Sequence, residues 1–369
     1  MEIKVYFMPR KVFDEKIEKM DNKISLSQIV MKWTNNTKLE DIVEKLYKID
    51  TCIITLEDCS GLNSHVLENF DCLLAVFEKS SDINTILINN PPKFFFDRLK
   101  QLQNSILVEK NKYKKINARG LKKVRNNFDK NIVGQSKAKK AICRKLIAHM
   151  IRPSNKPLVL MFYGNPGIGK TETAKILSKT LFSSGEILRE QMTMVGGDAS
   201  VKYFKSTSHN EDSFSKRLLN RTSNVILLDE FALAPRFFQT SFFQMFDEGI
   251  YADQNFTIDM SNSIIICTSN LLSIEEMEEN IDNALLSRFD GFIHFTDFTI
   301  DEKRVIATNL FNEFINPKNM NTKYRKKLNE KDVMNNVEKA LPKLINVRNI
   351  RKYVEDCIAD NLLNTIIKK

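Results

Sequence analysis

The chain has 369 residues, is 42% hydrophobic and 28% charged, and carries a formal net charge of +10. That length allows two or three domains with cores of their own, and the composition is that of an ordinary soluble protein. No apolar run reaches the roughly 18 residues that cross a bilayer, and the opening MEIKVYFMPRKVF has no apolar signal core, so we expect a cytoplasmic protein without a membrane span.

Residues 1–118 alternate short apolar runs with polar, helix-like stretches and read as an α/β domain for substrate or partner recognition. TCIITLE (51–57), CLLAVFE (72–78) and TILI (85–88) read as strands. After Pro91-Pro92, the stretch from Lys93 to Ile116 has the three-to-four spacing of a helix. No chemistry is visible here, and His65 reads as a surface or core residue. The six cysteines (52, 59, 72, 143, 267 and 357) form no Cys-x-x-Cys pair, which fits reduced thiols rather than a metal site. Between Lys110 and Lys130 stand nine Lys/Arg against one acid, Asp129. Residues 119–130 read as a basic linker or solvated helix face, with contact to nucleic-acid phosphates as the alternative.

From 131 to 298 the pattern changes. The runs 157–164, 224–231 and 263–270 are continuously apolar and alternate with helical stretches, as in a parallel sheet covered by helices on both faces. The first run ends in Gly164, Asn165, Pro166, Gly167, Ile168 and Gly169, followed by Lys170, Thr171 and Glu172. This is G-x-x-x-x-G-K-[ST], the phosphate loop of a nucleotide-binding protein. Glycines let successive backbone N–H groups turn inward onto phosphate oxygens, and the positive end of the next helix faces the same anion. Lys170 is expected at the β and γ phosphates of ATP, and Thr171 on Mg²⁺. VILLDE then ends in Asp229 and Glu230 at a strand's carboxyl end, where Asp229 suits Mg²⁺ and Glu230 suits activation of the lytic water. Residues 299–369 read as a small helical domain.

These motifs, with their flanks, resemble the AAA+ module of the Clp ring ATPases over about 128–351, most closely the second module of the ClpB disaggregase. NIVGQSKAKKAI resembles the family's entry segment, which implies adenine contacts near Ile132 and Val133. TSN (268–270) matches sensor 1 and makes Asn270 the residue that orients water. ALLSRFDGFIHF matches the arginine-finger segment, with Arg288 as the finger, and INVRNIRKYVED matches sensor 2, with Arg348 as its arginine. The family usually has glycine two residues before that arginine and proline after it, where this chain has Asn346 and Asn349. The resemblance also places a pore-lining aromatic loop at Lys202, Tyr203 and Phe204, although the family's Gly-aromatic-Val-Gly pattern is missing.

What the resemblance implies is an ATP-hydrolysing ring, a homo-oligomer and by the family's pattern a hexamer, that threads or remodels unfolded protein. Lys202 and Lys205 would favour acidic chain. Between Asn270 and Arg288 there is no hook of the kind that docks a Clp protease. A nucleic-acid-dependent ATPase and a nucleotide-switched assembly or defence scaffold are the alternatives, the first drawing on the basic stretch at 110–130.

Overall fold

The computed structural model describes residues 1–33, 49–80, 82–103, 105–182, 186–194 and 196–367. Residues 34–48 of the expected first domain therefore lie outside the described residues. Two five-stranded parallel sheets organise the chain.

The first sheet contains β1 (Glu2–Phe7), β2 (Lys23–Ser25), β3 (Thr51–Ile54), β4 (Thr85–Asn89) and β5 (Leu107–Lys110), in the order β2-β3-β4-β1-β5. Two sequence expectations are corrected here. Residues 72–78 are not a strand but part of the helix Phe70–Ser80. Phe70, Leu73, Leu74 and Phe77 are its buried residues, and their three-to-four spacing puts them on one face, which a short apolar run conceals. The helix after Pro92 stops at Leu102, and the chain returns to the sheet as β5.

The second sheet contains β6 (Leu158–Tyr163), β7 (Leu188–Gln191), β8 (Val225–Asp229), β11 (Ile264–Thr268) and β12 (Gly291–His294), in the order β12-β6-β11-β8-β7. A hairpin of β9 (Ile250–Ala252) and β10 (Thr257–Asp259) stands apart from it. Alternate strand residues supply two separate cores. Leu158, Leu160, Phe162, Leu227 and Ile266 face one, and Val159, Met161, Leu228 and Ile265 face the other. Both faces are covered by helices, so the strands read as unbroken apolar runs.

Renumbered within their own sheets, the strands of both follow one order, 2-3-4-1-5, and all pair in parallel. No internal repeat is visible in the sequence, so this repetition exists only in the topology.

The basic stretch is helical from Ala118 to Asn131, with Asn117 accepting a hydrogen bond from the Gly120 N–H at 2.8 Å as its cap. Its lysines and arginines point outward, while Val124 and Phe128 are buried in the core beneath the second sheet. Asn127 Nδ2 also donates to Thr180 Oγ1, at 3.0 Å, on the helix Lys170–Leu181. Burial of Phe128 alone is worth about 1.5–3 kcal/mol, so one face of the helix anchors it. Residues 300–367 are helical, and Ile306, Leu310, Val337, Ile350 and Val354 continue the same core.

Candidate nucleotide site

In the second sheet, β6 leads away to β7 at the far edge, while β11 leads across β6 to β12 at the other. Where connections diverge in this way, an open parallel sheet leaves a crevice at the carboxyl ends of its strands. The loop Gly164–Gly169 lies there, between β6 and the helix that opens at Lys170. Gly164 has φ +127°, and a Cβ would fall 2.3 Å from the Phe295 carbonyl oxygen, so only glycine fits. Gly167 (φ +74°) lies close to Asn346, and its carbonyl accepts the Val347 N–H at 3.1 Å. The helical domain thus touches the phosphate loop directly.

Lys170 is buried, and its ammonium donates to the Gly164 carbonyl (2.6 Å), the Asn165 carbonyl (2.8 Å) and Asn270 Oδ1 (3.0 Å). All three acceptors are neutral. Burial lowers its pKa to about 8, with Arg348 adding to the shift and Asp229 opposing it. Thr171 Oγ1 donates to Asp229 Oδ1 at 3.4 Å, and Asp229 is 5% exposed. Glu230 sits in the left-handed region at φ +58°. Its N–H donates to Thr268 Oγ1 at 2.9 Å, and its carboxylate accepts from Gln191 Nε2 at 2.8 Å. Lys170, Thr171, Asp229, Glu230 and Asn270 are therefore assembled from three adjacent strand ends. Asn165, partly exposed, is held by Asp297 Oδ1 at 2.8 Å, Ile168 is buried, and Pro166 and Glu172 are exposed at the loop's rim.

Ile132 is buried and Val133 partly so, at the end of the basic helix. Arg348 is exposed at the start of the last helix, close enough to Lys170 to act on its charge. Arg288 stands elsewhere. It precedes Asp290, which bonds both the Val159 N–H (2.9 Å) and the Val159 carbonyl (2.8 Å) at the beginning of β6. The phosphate loop begins beyond the other end of this six-residue strand, about 20 Å away at the usual rise. Arg288 is 3.5 Å from Asp247, packs 4.6 Å over the Phe243 ring, and has a buried Nε with no hydrogen-bond partner.

The structure places the aromatic pair at 203–204, expected from the resemblance in a pore-lining loop, on the short helix Asp198–Lys205. Phe204 is 4% exposed among Phe214, Phe238 and Phe242, and its carbonyl accepts from the Tyr251 hydroxyl at 2.7 Å. Tyr203 is half-buried, donates to Glu190 at 3.0 Å and packs edge-on to Phe204. The core takes up these aromatic side chains, while Lys202 and Lys205 are exposed.

Three polar partners escaped the motif reading. Thr268 Oγ1 bonds Asp229 and accepts the Glu230 N–H, so one hydroxyl spaces both acids. Arg189 Nε donates to Asp229 Oδ2 at 2.9 Å. Gln135, buried at φ +55°, donates to the carbonyls of Thr296 (2.7 Å) and Ile168 (3.3 Å) and accepts the Thr296 N–H (3.1 Å). It ties the entry segment to the phosphate loop and to the exit from β12. The TSN triplet signalled Thr268; nothing local signals the other two.

A parallel sheet with this loop, these paired acids and a helical domain against the loop defines a P-loop ATPase of the AAA+ class. Residues 155–346, just over half of the chain, match the family described as AAA domain (Cdc48 subfamily), and the chain belongs to that family, as a Clp-type member. It is 27% identical over 273 residues to the chaperone protein ClpB of Malacoplasma penetrans, a match covering 66% of this chain and 38% of that protein. Over 216 residues it is 27% identical to the ATP-dependent Clp protease ATP-binding subunit ClpL of Staphylococcus aureus, covering 52% and 31%. The chain thus spans between about a third and two fifths of these relatives. In fold it is similar to Hsp104, in a closed state with ATPγS and FITC casein, with a TM-score of 0.55 over 97% of this chain and 69% of that one, at 18% identity. Among the described residues no helix is long and apolar enough to cross a membrane.

Proposed function

We propose that this chain is the motor of a homo-oligomeric ring, a hexamer in the pattern of its relatives, that hydrolyses ATP to remodel protein substrates in unfolded or extended form. The observation that carries the reading is the convergence of Lys170, Thr171, Asp229, Glu230 and Asn270 at adjacent strand ends. Lys170 exchanges its neutral acceptors for the β and γ phosphates. The Thr171 hydroxyl beside the Asp229 carboxylate is a fitting donor pair for Mg²⁺, which prefers oxygen ligands and would neutralise charge on the phosphates when bound. Glu230 accepts the proton of the attacking water, and Asn270 orients that water. Ile132 and Val133 line the adenine side, and Arg348 senses the phosphates from the helical domain.

Arg288 lies at the far end of β6 from its own phosphate loop, so it serves the site of a neighbouring subunit. A charge supplied in that way is worth about 10³–10⁵ in rate. The proposal of a protein substrate is supported by the likeness to ClpB, a chaperone protein, and is in keeping with the casein in the Hsp104 structure of similar fold. The domain layout supports residues 1–118 as a recognition module and 299–369 as the lid.

The deciding experiment measures ATP turnover of wild type and Glu230→Gln with casein, with single-stranded DNA and with neither. Stimulation by casein and a Glu230→Gln protein that binds ATP without hydrolysing it are expected. Stimulation by DNA alone would replace the protein-remodelling reading with a nucleic-acid-dependent one acting through the exposed basic helix 118–131.

A further inference from the structure

Because both sheets share a strand order, the first has the same divergence of connections as the second. There β1 leads off to β2 at one edge, and β4 leads across β1 to β5 at the other. Only two residues, Met8 and Pro9, join β1 to its helix, against the six of Gly164–Gly169 in the second sheet. Asn90 closes this short loop by accepting the Met8 N–H (3.1 Å) and donating to the Met8 carbonyl (2.8 Å). Pro9 has no N–H to offer, so no phosphate loop forms.

The crevice itself persists. Outside the carboxyl ends of β1, β4 and β5 lies a cleft of about 880 Å³, closed from the other side by Leu219, Arg221 and the segment Asn255–Asn262 around β10. Lys93, Lys100, Lys110, Lys112, Lys115 and Arg221 line it. Against these six cations stand two acids, Asp97 and Asp259, and Asp97 already pairs with Lys100. Lys110 and Lys112 are exposed and make no ion pair among the described residues.

Arg221 makes the excess charge more telling. It is 6% exposed, and its guanidinium donates only to neutral oxygens: the Leu218 carbonyl (2.7 Å), the Asp259 carbonyl (2.8 Å) and Asn224 Oδ1 (3.4 Å). It lies 4.6 Å over the Tyr113 ring. No carboxylate hydrogen-bonds it, Asp259 acting on it only through space, so its burial carries a desolvation cost that a bound anion would offset. Phe7, Phe96 and Tyr113 add aromatic surface beside the lysines. Clustered cations beside aromatic rings suit phosphate joined to a planar base. The volume, at a boundary between domains, is that of a small-molecule site.

We infer that this cleft is a second ligand site, which binds a small phosphorylated molecule bearing an aromatic base, of the nucleotide class, and does not hydrolyse it. Such a ligand would bridge the first domain to the segment just ahead of β11, the strand that delivers Asn270 to the ATPase site.

Equilibrium binding of ribose-labelled fluorescent ATP to the full chain tests this. Wild type should bind two molecules per chain, and Lys170→Ala should keep only the cleft molecule. Lys110→Glu/Lys112→Glu should keep the phosphate-loop molecule and weaken the other about 100-fold, about tenfold for each charged hydrogen bond removed. One molecule per chain in wild type, abolished by Lys170→Ala, overturns the second site and leaves the ATPase reading intact. Two molecules surviving in Lys170→Ala would instead count against the phosphate loop. Tighter displacement of the label from Lys170→Ala by a single-stranded 12-mer or an acidic peptide than by ATP would overturn the small-nucleotide assignment.

Discussion

Glu230 combines the proposed catalytic position with an unfavourable backbone. A non-glycine residue at φ +58° costs about 1 kcal/mol, and it is held there by the Thr268 hydroxyl on its N–H. Glu230→Gly should therefore raise stability by about 1 kcal/mol in urea unfolding while abolishing ATP turnover. Lys170 makes a second prediction. Its folded pKa of about 8 lies below the 10.5 of a free lysine, because burial disfavours the charge. Between those values the unfolded chain binds more protons than the folded one, so stability of the nucleotide-free protein rises with pH across that window. Phosphates restore the charge, so binding takes up a proton above about pH 8, and affinity should fall there by up to about tenfold per pH unit. Calorimetry in buffers of different ionisation enthalpy between pH 7 and 9.5 reads both the proton and the affinity.

At the scale of elements, the helix Ala118–Asn131 belongs with the ATPase through one face only. Phe128→Ala should cost about 3–5 kcal/mol in thermal or urea unfolding, whereas Lys122→Ala/Lys123→Ala should stay within about 0.5 kcal/mol. Equal effects would mean that the helix is merely a tether. Gln135 joins three elements through buried bonds, so Gln135→Ala strands the Thr296 N–H and the Ile168 carbonyl at a cost of about 1–3 kcal/mol. Weakened ATP binding should accompany that loss, because the same bonds hold the phosphate loop against β12.

For the whole molecule, the separation of Arg288 from its own phosphate loop sets the prediction. Arg288→Ala and Glu230→Gln should each be inactive alone. Mixed and reassembled, they should recover about a quarter of wild-type turnover, because one site in four pairs an intact Glu230 with a neighbour's intact Arg288. No recovery on mixing would place Arg288 outside the reaction. The first domain is held to the second by Lys93 N–H on the Asn255 carbonyl (2.8 Å), the Tyr113 hydroxyl on the Arg221 carbonyl (2.7 Å) and Lys216 on Ser60 (2.8 Å). The first two of these ties line the cleft, where a ligand would add to them.

The nucleotide site was legible from sequence because its chemistry is local. A phosphate loop needs glycines and Lys170 at fixed spacing, and paired acids need only the end of an apolar strand, so backbone geometry within a few residues dictates both. The strands of the second sheet were equally plain, being buried on two faces. Where the sequence did not show the arrangement, residues distant in sequence decided it. Phe204 reads as a candidate to grip a passing chain until Phe214, Phe238 and Phe242 close around it. Residues 72–78 read as a strand until one helical face meets the core. Arg189 and Gln135 carry no motif, since what matters is the partner each reaches across the fold. The shared strand order is hidden for the same reason: hydrogen bonding between strands sets a topology, and the first sheet carries no phosphate loop to make it recognisable. Sequence by itself determined the class of chemistry and the residues that are candidates to perform it. Tertiary structure alone decided which aromatic and charged side chains are free to meet a ligand, because burial is a property of the packed chain.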